Sequence, residues 1–155
     1  MGIPFHLQAR LPFLLPHAIM WAENCSKEAA KSGRLLSQNE ISVARLVEVR
    51  RPELIRVNVV DNLPLPDDLE LREAALETGL LGPHMAGLTL GYSVHVCRGY
   101  EAARLLSHEF RHVYQYETAG SIAAFLPVYL AQIVKFGYAN APLELDAIAH
   151  EQDGA

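Results

Sequence analysis

The sequence predicts an α+β domain, because helical stretches outnumber strand-like ones and the strand-like ones lie between them. The helical stretches space apolar residues three and four positions apart, whereas two other stretches alternate apolar and polar residues. A chain of 155 residues, half of them hydrophobic, suits one domain with its own buried core. We therefore expect a small sheet with about five helices around it.

Two helices are expected before the first strand. The first spans 17–31, and Gly33 follows it where a helix commonly ends. Its apolar residues share one face: Ala18, Trp21, Ala22, Cys25 and Ala29. The segment before it is interrupted by prolines: Pro4, Pro12 and Pro16. The second helix begins at a capping box formed by Ser37 and Glu40 and ends before Pro52.

The segment 54–60 has the period of a half-buried strand. Its alternating apolar residues are Ile55, Val57 and Val59. A loop over 62–68 follows, marked by two prolines. After the loop we expect a short helix over 69–77 that closes near Gly79.

A second strand-like segment covers 88–97. Its apolar residues share one parity, and Gly91 in the middle indicates either one strand with a bulge or a bent hairpin. His95 has the opposite parity from Val94 and Val96, which puts it on the more polar face. It is a weak candidate for a site residue.

The last third of the chain predicts three helices. The segment 100–117 has the clearest helical pattern. The segment 121–136 is also helical, with a bend or a start near Pro127 and an end at Gly137. A final short helix is expected over 142–150, opened by a proline.

Charge and composition argue against several partners. The formal charge of −5 and the lack of a basic stripe disfavour nucleic acid. The longest apolar stretch, 122–134, is too short to span a membrane. Cys25 and Cys97 are interpreted as thiols in a reducing compartment, with a single disulfide as the alternative. No basic start precedes a clean apolar run, so we expect a cytoplasmic protein without a signal peptide.

A metal-binding motif lies in the clearest helix. His108 and His112 are four residues apart, which places both imidazoles on one helix face, within reach of one zinc ion. Glu109 is rotated away from them by about 100°. Its carboxylate can therefore hydrogen-bond a water at an open position of the metal, which is the requirement of metal-assisted hydrolysis.

A catalytic zinc needs a third protein ligand. Glu144 and Asp146, near the start of the last helix, are the candidates, and Glu144 is the preferred one. The alternative is that these carboxylates only stabilise the helix N-terminus, where the helix dipole favours an anion.

The segments 108–115 (HEFRHVYQ) and 142–147 (PLELDA) together resemble the gluzincin branch of the zincin metallopeptidases, in particular small bacterial proteins with HExxHxxQ and a downstream ExxA. The resemblance covers about 88–150. It implies a compact zincin-like domain with the motif on a central helix. Residues 1–52 would form a helical N-terminal region, and residues 53–152 would form the metal-site core.

The same resemblance implies one zinc ion per chain, bound by His108, His112 and Glu144, with Glu109 as general base. The activity would be peptide or protein hydrolysis, with the strand over 88–96 as the edge that pairs with an extended substrate.

Two positions depart from the pattern of that family. Arg111 is usually uncharged in it, and Ile148 stands where an aspartate often orients a ligand histidine. We therefore expect Asp146, Gln115 or His150 to take over that orienting role.

Several interpretations stay open. Tyr138 is either an oxyanion donor or a packed aromatic residue, and Gln115 is either a partner of a ligand histidine or a solvated side chain. Trp21 and the apolar run 13–15 either cover the core or plug the cleft. The alternative to an enzyme is a zinc-stabilised binding or scaffold module without turnover. The oligomeric state has no signature in the sequence.

Overall fold

The computed structural model describes residues 5–82 and 84–153. Within them the chain forms six α-helices and three strands, which confirms the predicted α+β class. The elements in chain order are α1 (Phe5–Ser32), α2 (Gln38–Leu46), β1 (Arg56–Val60), α3 (Leu69–Glu77), β2 (Gly87–Leu90), β3 (Ser93–Cys97), α4 (Ala103–Ala119), α5 (Ile122–Phe136) and α6 (Pro142–Ala149). Short 3-10 turns at Pro52–Leu54 and Tyr138–Asn140 lead into β1 and α6.

Helix α1 is longer than predicted, because it begins at Phe5 rather than at 17 and continues through Pro12 and Pro16. Each proline lacks the N–H that would bond the carbonyl one turn earlier in the helix. Both prolines lie on the exposed side of the helix, so these carbonyls can face water instead. The opposite side carries a buried stripe: Leu7, Leu14, Ala22 and Ala29. Packing of this stripe against α3, α5 and the sheet overrides the expected break. Pro4 lies outside the described residues.

The sheet has the strand order β1-β3-β2. β1 runs parallel to β3, with Val57 beside Val94, and β2 runs antiparallel to β3, with Leu88 beside His95. The segment 88–97 is therefore the bent hairpin of the two alternatives. Gly91, with φ of 65°, lies in its turn and is not a bulge. The prediction that the segment 88–96 forms the substrate-binding edge is wrong for its second half. Of the two strands in this segment, β2 lies at an edge of the sheet, whereas β3 is the central strand.

Helix α4 packs on one face of the sheet and is buried on both sides. Its Leu106, Phe110 and Val113 join the main core cluster with residues of α2, β1 and β3. Tyr116 belongs to a second cluster with Ala22 of α1, Leu90 of β2, and Phe125 and Leu126 of α5. The helix that carries the histidine motif is thus fixed between the sheet and α5 by apolar contacts.

Two later helices begin at the caps that the sequence marks, whereas α4 does not begin where predicted. Ser37 and Glu40 form the predicted capping box of α2. Helix α4 begins three residues later than predicted, at Ala103, after Gly99 with φ of 92°. Helix α5 starts after the N-cap Ser121 and runs through Pro127 to Phe136. Within the described residues no single helix has the length and apolarity to cross a membrane, although α4 and α5, bent by 116°, would pass that test as a pair.

Candidate metal centre

Helices α4 and α6 bring three metal-ligating side chains together in the interior. His108 and His112 lie one turn apart on α4, with ring centroids 5.0 Å apart. Helix α5 reverses the chain, so that Glu144 in the first turn of α6 faces both rings. The exposed fractions are only 9% for His108, 5% for His112 and 3% for Glu144. A metal ion bound by these three side chains would therefore lie in the protein interior, between α4 and α6.

The distances within this trio fit one cation. Nε2 of His108 lies 3.2 Å from one carboxylate oxygen of Glu144, and Nε2 of His112 lies 3.0 Å from the other. All three ligand atoms lie within 4.8 Å of one another. Ligands at about 2.0–2.1 Å from a tetrahedral zinc are separated by roughly 3.3 Å, so small movements would suffice to hold the ion. The trio could therefore hold a metal ion.

The outer nitrogens of the two imidazoles are engaged by other side chains. Nδ1 of His108 lies 2.9 Å from a carboxylate oxygen of Glu151, and Nδ1 of His112 lies 2.8 Å from the amide oxygen of Gln115. Both partners are acceptors, so each Nδ1 donates to its partner, while each Nε2 donates to Glu144 and would have to lose that hydrogen to bind a metal ion. An Nδ1 held by an acceptor is the arrangement that metal-ligating histidines require.

Asp146 reaches the centre indirectly. The amide nitrogen of Gln115 donates to a carboxylate oxygen of Asp146 at 2.9 Å and to the carbonyl of Leu143 at 2.9 Å. Asp146 thus orients Gln115, which in turn orients His112, and it does not face the trio itself. Of the two predicted candidates for a third ligand, only Glu144 lies at the histidines.

The unusual Arg111 has a defined environment. Its guanidinium donates twice to Asp146, at 2.8 and 3.2 Å, and once to the carbonyl of Val47 at 3.0 Å. Its carbon Cζ lies 4.0 Å from the ring centroid of Tyr114. Arg111 therefore ties α4 to α6 and to the end of α2, and its charge is neutralised by Asp146.

Glu109 lies on a different wall of the site, against β2. Thr89 donates its hydroxyl to the Glu109 carboxylate at 2.8 Å, and the same hydroxyl lies 3.1 Å from the Glu109 carbonyl. A Cβ on Gly87 would come within 2.8 Å of the carboxylate, so a larger residue there would displace the Glu109 side chain from its present position. Glu109 is only 5% exposed, yet it lines an apolar cavity together with His112 and Glu144.

Two tyrosines complete the surroundings of Glu144. The hydroxyl of Tyr129 donates to Glu144 at 2.7 Å, and the Tyr129 ring meets His112 edge to face. Tyr138, the predicted oxyanion donor, lines the same cavity, where burial and the charge of Glu144 raise the pKa of its hydroxyl. Both tyrosines therefore lie at the site, and the Tyr129 hydroxyl is the one that bonds the candidate third ligand.

The charges of the trio stabilise one another. Burial alone would lower the pKa of His108, but the hydrogen bond to Glu144 and the negative charges of Glu109 and Glu144 raise the pKa to about 9. The pKa of His112 is raised by the same carboxylates against the effect of burial. Burial opposes ionisation of Glu144, yet hydrogen bonds from both histidines hold its pKa well below the usual range. The pocket favours positive charge at its centre, as a cation site does.

Several predicted residues lie elsewhere. His150 bonds the carbonyl of Asp146 and does not contact the histidine pair, and Ile148 is half exposed. His95 lies on the other face of the sheet, in a surface pocket that Cys25 also lines. Cys25 and Cys97 are unpaired thiols. The apolar run 13–15 divides, with Phe13 exposed and Leu14 buried against the cavity.

Three residues that contact the trio or Glu109 have no signal in the sequence: Glu151, Thr89 and Tyr129. Each comes from a segment outside the motif, and only the packing of α5, α6 and β2 brings it in. Comparison with known proteins gives no match to a family model, a curated protein or a solved structure.

Proposed function

We propose that this protein is a zinc-dependent hydrolase, most closely a metallopeptidase of the gluzincin kind. The observation that carries the proposal is the buried group of His108, His112 and Glu144, with the carboxylate of Glu109 on an adjoining wall. Two imidazoles and one carboxylate are the ligand set of catalytic zinc in several peptidases. The ligands share one centre, and Glu109 is kept apart from it by its own partner, Thr89.

Glu109 is the general base in this proposal. When bound, a zinc ion supplies positive charge that polarises a carbonyl group and lowers the pKa of water to about 7. The Glu109 carboxylate accepts a proton as the water oxygen bonds to the carbonyl carbon of the substrate. It then passes the proton to the amide nitrogen as the carbon–nitrogen bond breaks, so that one water is consumed and an acid and an amine are released.

The edge strand β2 is the proposed docking site for the substrate backbone. Within the described residues β2 pairs with no strand but β3, so its outer edge is available for strand addition except at the Thr89 carbonyl, which accepts from the Tyr116 hydroxyl. Gly87 and Thr89 of β2 both lie against Glu109, and an extended peptide on this edge would pass beside the base. Tyr138 is the proposed donor to the oxyanion.

The decisive experiment compares the zinc-loaded protein with its Glu109→Gln variant on a broad peptide library. We expect cleavage by the parent and a loss of about 10²–10⁴-fold in the variant, which keeps its zinc but lacks the base. The exposed Glu101→Gln, just before α4, serves as the control and should cleave like the parent. Equal activity of Glu109→Gln and the parent on every cleaved peptide would overturn the proposal.

A second candidate is a zinc-stabilised binding module without turnover. It is favoured by the burial of all three ligands and by their origin from two helices, since a metal there would join α4 to α6. This alternative predicts that chelation lowers the melting temperature while the library stays intact. Cleavage that rises with zinc occupancy and is lost in Glu109→Gln would exclude it.

The proposed compartment is the cytoplasm. Its support is chemical: Cys25 and Cys97 are both free thiols, and reduced thiols are usual in a reducing compartment.

A further inference from the structure

An elongated apolar cavity adjoins the metal centre. One continuous face of α1 lines it, with Leu7, Leu11, Leu14, Ala18 and Ala22. The first and last of these positions are fifteen residue steps apart, or about 22 Å along the helix axis. The facing walls are provided by α3, β2 and α5. The cavity therefore runs along α1 for a distance far greater than the width of one side chain.

The volume of this cavity is small for its length. It measures about 150 Å³, and the cavity is partly open to solvent. A compact apolar cavity of that size holds one benzene ring. Here a similar volume is drawn out along four turns of α1, which suits an unbranched hydrocarbon chain better than a ring or a branched side chain.

Two polar groups of the lining away from the metal centre are already satisfied by the protein. The hydroxyl of Thr78 donates to the carbonyl of Ala74, and that of Tyr116 donates to the carbonyl of Thr89. They offer little to a polar ligand, so binding there would depend on removal of apolar surface from water.

The cavity reaches the reactive groups, because Glu109, His112 and Glu144 form part of its wall. A carbonyl placed at the metal centre could therefore extend an attached chain along α1. In an amide substrate, this chain would be carried on the acyl side or on the amine side of the scissile bond. The length of the cavity suits a single long substituent.

We propose that the cavity is a binding site for a straight aliphatic chain, and that the substrate is an amide whose acyl group is such a chain. The reaction part of this inference rests on the proposed function, with water splitting the carbon–nitrogen bond to a fatty acid and an amine. The binding part does not require turnover.

Chain binding is tested by calorimetry with straight 1-alkanols from butanol to dodecanol, on the full chain with and without zinc. We expect affinity to rise about threefold to fourfold with each methylene until the cavity is filled, and then to level off. Benzyl alcohol should bind more weakly than 1-octanol. Equal or tighter binding of benzyl alcohol, or an affinity independent of chain length, would overturn the inference.

Two variants locate the site. Ala18→Leu places a larger side chain in the cavity from α1, and Ala75→Leu does so from α3. If one of the two variants does not fold, the other still provides the test. In each variant the alkanol affinity should stop rising at a shorter chain length than in the parent. Ala30→Leu, the same change at an exposed position of α1, should behave like the parent. A levelling-off length that is unchanged in both cavity variants would overturn the inference.

The reaction is tested with acylated peptides that differ only in acyl length, from acetyl to dodecanoyl. We expect kcat/KM to rise with length in the parent, with the optimum shortened in Ala18→Leu. Cleavage of acetylated and dodecanoylated peptides at equal rates would overturn the substrate assignment. Length-dependent alkanol binding without cleavage of any acylated peptide would support the chain site and overturn the substrate assignment. The hydrolase itself stands or falls with the comparison of the parent and Glu109→Gln on the peptide library, so the two failures are distinguishable.

Discussion

The carboxylate of Glu109 is positioned by one hydroxyl, that of Thr89. Thr89→Val keeps the shape of the side chain but removes the donor. Because a hydrogen bond to a charged group contributes about 1.5–3 kcal/mol, we expect kcat to fall by roughly tenfold or more. The measurement is steady-state hydrolysis of the best library peptide by zinc-loaded protein.

Thr89→Ser is the matched control for this prediction. It keeps the hydroxyl and loses only a methyl group, so its kcat should stay near that of the parent. If the valine and serine variants lose activity equally, packing of the methyl group rather than the hydrogen bond positions Glu109.

His112 is oriented by Gln115, which in turn is held by Asp146. Gln115→Leu removes the acceptor for Nδ1 of His112, and loss of such a partner commonly weakens metal affinity by about 10–100-fold. Competition for zinc with a chromophoric chelator measures the change.

Gln132→Leu provides a close comparison. Gln115 and Gln132 both hydrogen-bond the backbone of Leu143, but only Gln115 also contacts a histidine. The Gln132 variant should therefore keep zinc affinity within a few-fold of the parent. An equal loss in both variants would assign the effect to the position of α6.

At the residue scale, helical spacing accounts for what the sequence could predict. A separation of four places His108 and His112 on one face, and a separation of seven puts Gln115 on that face too. The choice between Glu144 and Asp146 depends on how α6 docks on α4, which spacing does not determine. Glu151 escapes prediction for the same reason, since it lies forty-three residues after the histidine that it contacts.

Helix α2 offers a test at the scale of elements. Glu40 closes its capping box and pairs with Arg34, whose hydrogen bond is the main reason that the pKa of Glu40 is lowered. A lowered carboxyl pKa contributes stability above the ordinary pKa, and this is lost as pH falls through the lowered value. Glu40→Gln should therefore cost about 0.5 kcal/mol at pH 7, because Arg34 is partly exposed, and less near pH 3, below the ordinary carboxyl pKa.

Urea unfolding of the parent and variant at both pH values measures this difference. Ser37→Ala is the comparison, because its loss of about 1 kcal/mol comes from an uncharged cap and should persist at pH 3. A Glu40→Gln cost that is the same at both pH values would contradict the assignment to the charge on Glu40.

At the element scale, local signals locate a helix end where a cap residue marks it, but not where prolines indicate a break. The capping box of α2 and Gly137 after α5 are local features, and the structure has both at the predicted positions. The start of α1 is different. Pro12 and Pro16 indicate a break, and only the buried stripe from Leu7 to Ala29 explains why the helix continues.

The whole molecule depends on contacts that the sequence does not encode locally. The parallel pairing of β1 with β3 and the return of α6 to α4 both join segments far apart in the chain. Alternation predicts the two strand regions, but not their order in the sheet or the edge position of β2. The candidate metal centre forms where these long-range contacts meet.

A cation at this centre would stabilise the fold as a whole, since its ligands come from α4 and α6. At a zinc concentration of about 100 times Kd, binding to the native state alone adds about 2.7 kcal/mol to the free energy of unfolding. For a chain of this size that corresponds to a rise in Tm of roughly 5–10 °C. Differential scanning calorimetry with zinc, and then with excess chelator, should record the rise and its reversal.

Two controls determine whether this rise comes from the trio. His112→Ala removes one imidazole, so zinc should leave its Tm nearly unchanged. Magnesium prefers oxygen ligands and keeps its waters, so it should not replace zinc in the parent. A rise of equal size in His112→Ala would place the ion at another site, and an equal effect of magnesium would contradict a centre built on two imidazole nitrogens.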